Sequence, residues 1–347
     1  MKLYLMWYKN PIFKYFVVAI LMVFIQIPLG CAQSQEDLLF YPGNSSIKKN
    51  KKVVLISGDE EYRSEESLPM LAKILSQKHG FDAVVLFSID PQTKMVNPEY
   101  QNNIPGLQHL NDADLMIIAT RFRALPDEQM KLIDAYLKAG KPVIGLRTST
   151  HAFHFPENSK SAYKHYDFAN TGGAWDGGFG KLVLGETWIN HHGEHGKEGA
   201  RAFINGLIKN DNPPILNAIN DIWVPTDVYG IKNKLNDATI LLFGQPTLGM
   251  DNKSPINVEK TIMPLAWIKD YQIPNGKKGK AFATTMGASI DLVNEDLRRL
   301  IINASYWAVG LESQITEKLD VEIIGVFQPT MFGFGTHKKG TFPKDYK

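Results

Sequence analysis

The chain alternates between short apolar runs and amphipathic segments from residue 53 onward. Apolar runs bounded by turn residues predict buried strands at 53–56, 83–87, 115–119 and 142–146. Between them, apolar residues recur at helical spacing from Leu68 to Leu75 and again after Pro126, and Gly80 and Gly140 end these segments. Continuous apolar strands separated by helices predict a doubly wound α/β fold with a mostly parallel sheet.

This alternation breaks between about residues 153 and 225, a stretch rich in Gly, His, Asn and aromatic residues. Loops of that length in a globular domain are usually functional or mobile. Strand-like runs return at 240–243, 263–267 and 280–285, and helical spacing follows over 294–309. We therefore expect one α/β domain over 52–312 with a large His/Gly-rich insertion, followed by an irregular C-terminal extension over 313–347.

The N-terminus has the pattern of a signal peptide. Three lysines precede an uncharged apolar run over 16–25, and Gly30 stands before Cys31, the sole cysteine. The run is short for a membrane-spanning helix, which needs about 20 apolar residues. We expect residues 1–31 to be a signal peptide of the lipoprotein type with Cys31 as the lipidated residue; ordinary cleavage after Ala32 is the alternative.

Both routes predict an exported protein, either anchored through lipid at Cys31 in the periplasm or outer membrane, or free in the periplasm. The polar residues 32–51 predict a tether.

A hydrophobic fraction of 44% with 21% charged residues is that of a globular protein. The net charge of +2 gives no electrostatic reason to expect nucleic acid as a partner. Assembly as a homo-oligomer is left open.

Chemistry-bearing side chains follow the predicted strands. In an open parallel sheet, ligands bind beyond the carboxyl ends of the strands. The loops after the first, third and fourth predicted strands supply carboxylate, guanidinium and imidazole groups to that edge. Those groups belong to Glu61, Arg63, Arg121, Arg147, His151 and His154. We expect the histidines and the glutamate to be catalytic and the three arginines to bind substrate. A nucleophilic role for Ser149 is disfavoured, because Ser in tight loops usually bonds the backbone.

A second cluster comprises His191, His192 and His195. Imidazoles suit a divalent metal such as zinc, so His191 and His195 are candidate metal ligands and His192 a catalytic candidate. Neighbouring glycines indicate a loop and not a helical zinc motif. In the alternative, these histidines bind a polyhydroxylated ligand or act as general acid and base near neutral pH. Trp175 and Trp188 nearby offer aromatic faces for a sugar ring.

Several segments together resemble the ThuA-like, or trehalose-utilisation, family. They are 58–67, 146–153, 185–195, 264–267 and 284–287. The resemblance extends from about Lys52 to Leu311. It implies a flavodoxin-like fold of the class I glutamine amidotransferase type and a role in carbohydrate use. It does not imply amidotransferase activity, since a chain without Cys31 has no thiol.

We therefore expect an exported enzyme that acts on a sugar or keto-sugar derivative by His/carboxylate acid–base chemistry, as a hydrolase, lyase or isomerase. A divalent metal is the one candidate cofactor. The expected partners are a small-molecule carbohydrate and, through the lipid anchor, the membrane. The competing expectation is a non-catalytic sugar-binding lipoprotein.

Overall fold

The computed structural model describes residues 37–208, 213–232, 235 and 237–347. These residues belong to one compact unit built on a ten-stranded sheet. The strands are β1 (Leu38–Tyr41), β2 (Lys52–Gly58), β3 (Asp82–Leu86), β4 (Leu115–Thr120), β5 (Val143–Leu146), β6 (Ala200–Ile204), β7 (Trp223–Val224), β8 (Ala238–Pro246), β9 (Met263–Tyr271) and β10 (Gly279–Thr284). Their spatial order is β1-β3-β2-β4-β5-β10-β9-β8-β6-β7.

The sheet has a parallel half and an antiparallel half. Strands β3, β2, β4, β5 and β10 run parallel. The pairings of β9, β8, β6 and β7, and of β1 at the opposite edge, are antiparallel. The predicted α/β class is confirmed, but the antiparallel half departs from a mostly parallel sheet. Its successive strands β8, β9 and β10 are joined by loops, and without a crossover helix neighbouring strands reverse direction.

Three α-helices accompany the sheet within the described residues. They are α1 (Ser64–Lys73), prolonged by one π-helical turn (Ile74–Lys78), α2 (Asp127–Lys138) and α3 (Glu295–Ala308). Each coincides with a segment of helical spacing in the sequence. Asn294 caps α3, since its side-chain oxygen accepts a hydrogen bond from the Leu297 amide at 2.9 Å.

Alternate residues of β2 enter two separate cores. Val53 and Leu55 pack with α1 and α3 on one face, and Val54 and Ile56 pack with α2 on the other. Both faces of the parallel half are therefore covered, which explains why its strands read as continuous apolar runs. The carboxyl ends of these strands carry the polar loops.

The segment predicted as a tether contains β1. Leu38, Leu39 and Tyr41 are buried against β3. Residues 38–41 of the segment predicted as a tether are therefore part of the sheet, and a four-residue strand between polar neighbours leaves almost no periodic signal in the sequence. Cys31 and the predicted signal peptide lie outside the described residues. No helix in the described part of the chain is long and apolar enough to cross a membrane.

The C-terminal segment after α3 runs mainly as loops across α1 and β1. Thr341 accepts a hydrogen bond from the Val96 amide through its carbonyl oxygen at 2.8 Å. Short 3-10 turns connect the remaining elements. They are Ser45–Ile47, Leu107–Leu110, Arg147–His151, Lys164–Tyr166, Gly173–Trp175, Gly206–Ile208, Pro214–Leu216, Ser289–Val293, Glu312–Gln314 and Pro343–Tyr346, together with a π-helical turn at Gly180–Leu184.

Candidate functional site

The loops after β2, β4 and β5 meet at one edge of the sheet. Arg147 follows β5 directly and has a left-handed backbone, with φ of +45°. This conformation is unfavourable for a residue with a side chain. Its amide donates to the Met286 carbonyl at 3.0 Å, which ties the strained turn to the loop after β10. A sharp turn at this place aims the Arg147 side chain out of the sheet edge.

The Arg147 guanidinium is buried and makes four hydrogen bonds, while its Nε atom has no partner among the described residues. It donates to the carbonyls of Asp227 (2.6 Å) and Thr285 (2.7 Å), to the Asp227 carboxylate (2.7 Å) and to the Tyr62 hydroxyl (3.1 Å). The ring centroids of Tyr62 and Tyr229 lie 4.5 and 4.0 Å from its Cζ atom, so both rings make cation–π contacts with it. Arg147, predicted to bind substrate, is therefore placed against Asp227, Tyr62 and Tyr229.

Backbone pairing brings the histidine loop to Asp227. The amides of His192 and Gly193 donate to the Val228 carbonyl at 2.9 and 3.0 Å, and the Gly230 amide donates to Asn190. A Cβ on Gly193 would lie 2.8 Å from the Asp227 Cβ, so glycine permits this close approach. His191 is thereby placed beside the Asp227 carboxylate.

Two imidazoles and two carboxylates form the centre of the site. His191 Nδ1 lies 2.7 Å from Asp227 Oδ2, and His195 Nε2 lies 3.0 Å from Glu61 Oε1. His195 Nδ1 lies 3.5 Å from Asp227 Oδ1, and the two histidine rings are 4.6 Å apart. The histidine side chains are 32% and 34% exposed, against 0% for Asp227 and 4% for Glu61. The imidazoles are therefore the solvent-facing groups of this centre, and the carboxylates are buried beneath them.

The charges of this centre are strongly coupled. Burial acts to raise the pKa of Asp227, but Arg147 and the hydrogen bonds from His191 and His195 outweigh it and hold that pKa below its usual range. The hydrogen bond to Asp227 raises the pKa of His195, and Glu61 adds to this effect. Burial, with the nearby Asp59 charge, raises the pKa of Glu61.

His151 lies behind the two exposed imidazoles in an aromatic surround. Its ring centroid is 5.5 Å from that of Trp188, 6.0 Å from Tyr229 and 5.2 Å from Phe122. Burial, with the positive charges of Arg121 and Arg147, lowers the pKa of His151 well below its ordinary value. The imidazole is therefore neutral at pH 7 and packs as an uncharged wall of the site.

Comparison with known proteins assigns the family. A family model described as "ThuA: Trehalose utilisation" matches residues 52–308. The chain belongs to the ThuA family. Carbohydrate utilisation is thus its setting at the level of the family. No curated protein matches.

Three solved structures resemble this ThuA-family chain. A ThuA-like protein from Parabacteroides merdae has a TM-score of 0.47 at 15% identity, covering 78% of this chain and 96% of its own. The mmIFT52 N-terminal domain has a TM-score of 0.36 at 11% identity, with 74% and 96% covered. The exo-β-1,4-mannosidase Op5Man5 from Opitutaceae bacterium strain TAV5 has a TM-score of 0.30 at 10% identity, with 75% and 34% covered.

Other predicted residues lie beside the centre of the site. Arg121 is mostly buried, hydrogen-bonds the Glu60 carboxylate, and has its Nε 3.8 Å from Glu61. His154 is half exposed, and its Nδ1 lies 3.0 Å from Asp167. Trp188 has its ring 5.9 Å from His191. These residues line the approach to the two exposed imidazoles.

Three predicted residues lie apart from the centre. His192 Nε2 lies 2.8 Å from the Thr261 carbonyl. Trp175 packs on Tyr166, with ring centroids 4.3 Å apart, beside the α2-side core. Arg63 is fully buried and donates to the Gly333 carbonyl at 2.6 Å, so it anchors the C-terminal segment. Ser149 donates to backbone carbonyls, as expected of a Ser in a tight loop; its partners are those of Ile118 and Leu146.

Four residues of the site are not among those predicted from the sequence: Asp227, Tyr229, Tyr62 and Phe332. Asp227 is a single carboxylate after the two-residue strand β7, with no spacing that marks it. Its one sequence signal is a polar pair, Thr226 and Asp227, within apolar surroundings. Phe332 lies beyond the family match, and its ring centroid is 5.4 Å from that of His195. Only the tertiary structure brings these four residues together.

The centre also fits a divalent cation. His191, His195 and Asp227 each offer one ligand atom within 4.8 Å of the others. Two imidazoles and a carboxylate are a donor set that zinc prefers. The Asp227 Oδ1 atom accepts a hydrogen bond from Arg147 at 2.7 Å, and its Oδ2 atom lies 2.7 Å from His191 Nδ1.

Proposed function

We propose that the protein is an enzyme that acts on a sugar or keto-sugar derivative by acid–base chemistry at His191 and His195. One observation carries this proposal: two partly exposed imidazoles, 4.6 Å apart, are each held by a buried carboxylate. A carboxylate that fixes the tautomer and orientation of a histidine is a recurrent arrangement in general acid–base catalysis. The family's carbohydrate setting supplies the substrate class.

His191 is suited to accept a proton. Ionised Asp227 can only accept a hydrogen bond, so His191 Nδ1 carries the hydrogen at the 2.7 Å contact. The neutral ring then has its lone pair on Nε2. A substrate hydroxyl or an acidic C–H beside a carbonyl can deliver its proton there.

His195 is suited to donate a proton. The hydrogen bond to Asp227 raises its pKa, and Glu61 adds to this effect, so the protonated form is more stable than it would be in a free imidazole. The Glu61 contact at 3.0 Å holds Nε2, whereas the Asp227 contact at 3.5 Å is long. A substrate oxygen can replace that longer contact and receive the proton from Nδ1.

Turnover of a carbohydrate panel tests the proposal. Purified full-length protein is incubated with trehalose, glucose and their keto derivatives, with and without added zinc, and products are followed by NMR. We expect conversion by the wild type and loss of conversion in His195→Ala. His192→Ala is the matched control, since that imidazole is bound to the Thr261 carbonyl. Saturable binding of a sugar without conversion would favour the non-catalytic sugar-binding lipoprotein instead.

Metal-assisted chemistry is a second candidate, favoured by the three ligand atoms that lie within 4.8 Å. His191, His195 and Asp227 would hold the ion, which would supply Lewis-acid polarisation of a substrate oxygen. Metal analysis of the untreated protein tests this directly. Stoichiometric zinc that is lost in the His191→Ala/His195→Ala double variant and kept in His192→Ala would support it. A metal-free protein that turns substrate over would exclude it.

We also propose that the domain is exported and lipid-anchored at Cys31, which the charged and apolar pattern of residues 1–31 supports. Cys31→Ser is expected to move the protein from the membrane to the soluble fraction. For the fold, we propose a doubly wound, flavodoxin-like relationship of the parallel half. Its strand order β3-β2-β4-β5-β10 supports this, because it corresponds to 2-1-3-4-5 when these strands are numbered along the chain.

A further inference from the structure

The segment 330–337 lies over the candidate site and is fixed there at three points. Thr330 donates from its amide (2.9 Å) and its hydroxyl (2.8 Å) to the Glu66 carboxylate. The Gly333 amide donates to the Glu61 carbonyl at 2.9 Å. Arg63 donates to the Gly333 carbonyl at 2.6 Å and also hydrogen-bonds Thr336. These anchors all lie on the loop and helix that follow β2.

Gly333 lets the chain follow this path. Its φ is +149°, in a region that residues with side chains rarely adopt. The amide and carbonyl of this single residue are both used, one by Glu61 and the other by Arg63. Its two neighbours therefore project phenyl rings from a backbone that is held in place.

The two rings contact different polar groups of the site. Phe332 has its centroid 5.4 Å from Tyr62 and 5.4 Å from His195. Phe334 covers the Arg121 guanidinium at 4.9 Å and is 57% exposed. A large phenyl group exposed to this extent, on an anchored backbone beside two polar centres, leaves apolar area uncovered that a ligand can bury.

We infer that residues 330–337 form an aromatic clamp in which Phe332 and Phe334 bind the C–H face of a sugar ring between His195 and Arg121. This inference rests on the proposed function and adds the residues that select the substrate. A pyranose has apolar C–H faces and a hydroxyl rim, so it packs on phenyl rings while its hydroxyls reach imidazole, carboxylate and guanidinium groups. The clamp lies outside the family match, which ends at residue 308.

Calorimetric titration with trehalose and with glucose tests the clamp on the full chain. Phe334→Ala should weaken binding about 2- to 10-fold, and Phe332→Ala/Phe334→Ala should weaken it further. Phe334→Trp keeps an aromatic face and should stay within about twofold of the wild type. Met331→Ala is the matched control from the same segment, because Met331 lines a different cavity beside Trp223 and Val293. Where turnover is measurable, KM should rise in Phe334→Ala with kcat nearly unchanged.

The outcomes distinguish failure of the clamp from failure of the proposed function. Binding by the wild type that is unchanged in the double variant would overturn the clamp and leave the proposed function standing. The clamp is also overturned if Phe334→Trp binds as weakly as Phe334→Ala, because the ring face would then not be the binding element. If the wild type binds neither these two sugars nor their keto derivatives and converts none of them, the proposed function fails and the clamp fails with it. Phe334 is exposed, so Phe334→Ala is expected to keep the wild-type Tm, and this is checked first.

Discussion

The floor and the rim of the site are built from different residue types, which are buried charged groups in the floor and partly exposed rings in the rim. The floor consists of charged groups at the carboxyl ends of the parallel strands, which are buried and paired with one another or with backbone. They are Asp59, Glu60, Arg63, Arg123 and Arg147. The rim consists of partly exposed rings contributed by the long loop and the C-terminal segment. They are Trp188, His191, His195, Phe332 and Phe334.

The difference in burial indicates different roles: the buried groups of the floor fix the positions of other residues, whereas the exposed rings of the rim are accessible to a substrate. Arg123 shows it in the floor: it is fully buried, donates to Glu60 at 2.8 Å and to the Pro98 carbonyl at 2.8 Å, and has no exposed face. His195 shows it in the rim: its ring is one-third exposed and faces two carboxylates. The position of a charged residue at the end of a strand therefore does not by itself show that the residue binds substrate. Substitutions in the floor and in the rim should accordingly have different consequences.

The largest effect is expected from the rim residue His195. His195→Ala should lower turnover about 10²- to 10⁴-fold, because the proton donor is lost. The Tm should change little, since the side chain is partly exposed. His192→Ala should keep most of the activity. The measurement is kcat on the substrate identified in the panel. An equal loss of kcat in both variants would contradict the role of His195 as proton donor.

A floor residue should affect stability first. Arg147→Met leaves the Asp227 carboxylate buried without its guanidinium partner, at a cost of about 3–5 kcal/mol of unfolding free energy. Arg201→Met is the matched control: Arg201 pairs with Asp221, whose side chain is 70% exposed, and should cost less than about 1 kcal/mol. Urea unfolding of both variants measures the difference, and similar values would contradict the buried role of Arg147.

A buried carboxyl behind the floor should make stability depend on pH. Both oxygens of Glu65 lack a hydrogen-bond partner among the described residues, and burial raises its pKa from 4.5 to about 8. Between these values the folded protein binds a proton that the unfolded chain releases, so stability falls as pH rises through this window. Glu65→Gln removes that titration.

The expected gain of Glu65→Gln over the wild type is near zero at pH 4.5 and grows to roughly 2–5 kcal/mol by pH 8. Chemical unfolding at half-unit pH steps measures it. Glu66→Gln is the neighbouring control, whose carboxylate accepts hydrogen bonds from Thr330. A pH-independent gap between Glu65→Gln and the wild type would show that Glu65 ionises normally in the folded state.

The smallest effect separates two tryptophans that the sequence treats alike. Trp188→Ala should weaken sugar binding about 2- to 10-fold, because the ring lies beside His151 and His191. Trp175→Ala should leave affinity within about twofold, because that ring packs on Tyr166 and His165. Calorimetric titration with trehalose distinguishes them. A stronger effect of Trp175→Ala than of Trp188→Ala would indicate that the sugar binds near Trp175, Tyr166 and His165 instead.

The sequence by itself determined the parallel strands and all three described α-helices, because buried strands and amphipathic helices leave local periodic patterns. It also determined that Glu61, Arg121 and Arg147 gather at one edge, since parallel strands share a carboxyl end. It could not determine strand direction beyond β5, because an apolar run is the same in a parallel and an antiparallel pair. Nor could it identify β1, whose four residues are too few to show a period.

The tertiary structure alone decided what each polar group does. Asp227 is 36 residues from His191 and meets it through pairing between two loops. Phe332 and Phe334 reach the site across most of the chain, anchored by backbone bonds of Gly333. Burial then distinguishes Arg147, enclosed by Tyr62 and Tyr229, from His195, which is open to solvent. These contacts join residues that are far apart in the sequence, so the local sequence pattern does not predict them.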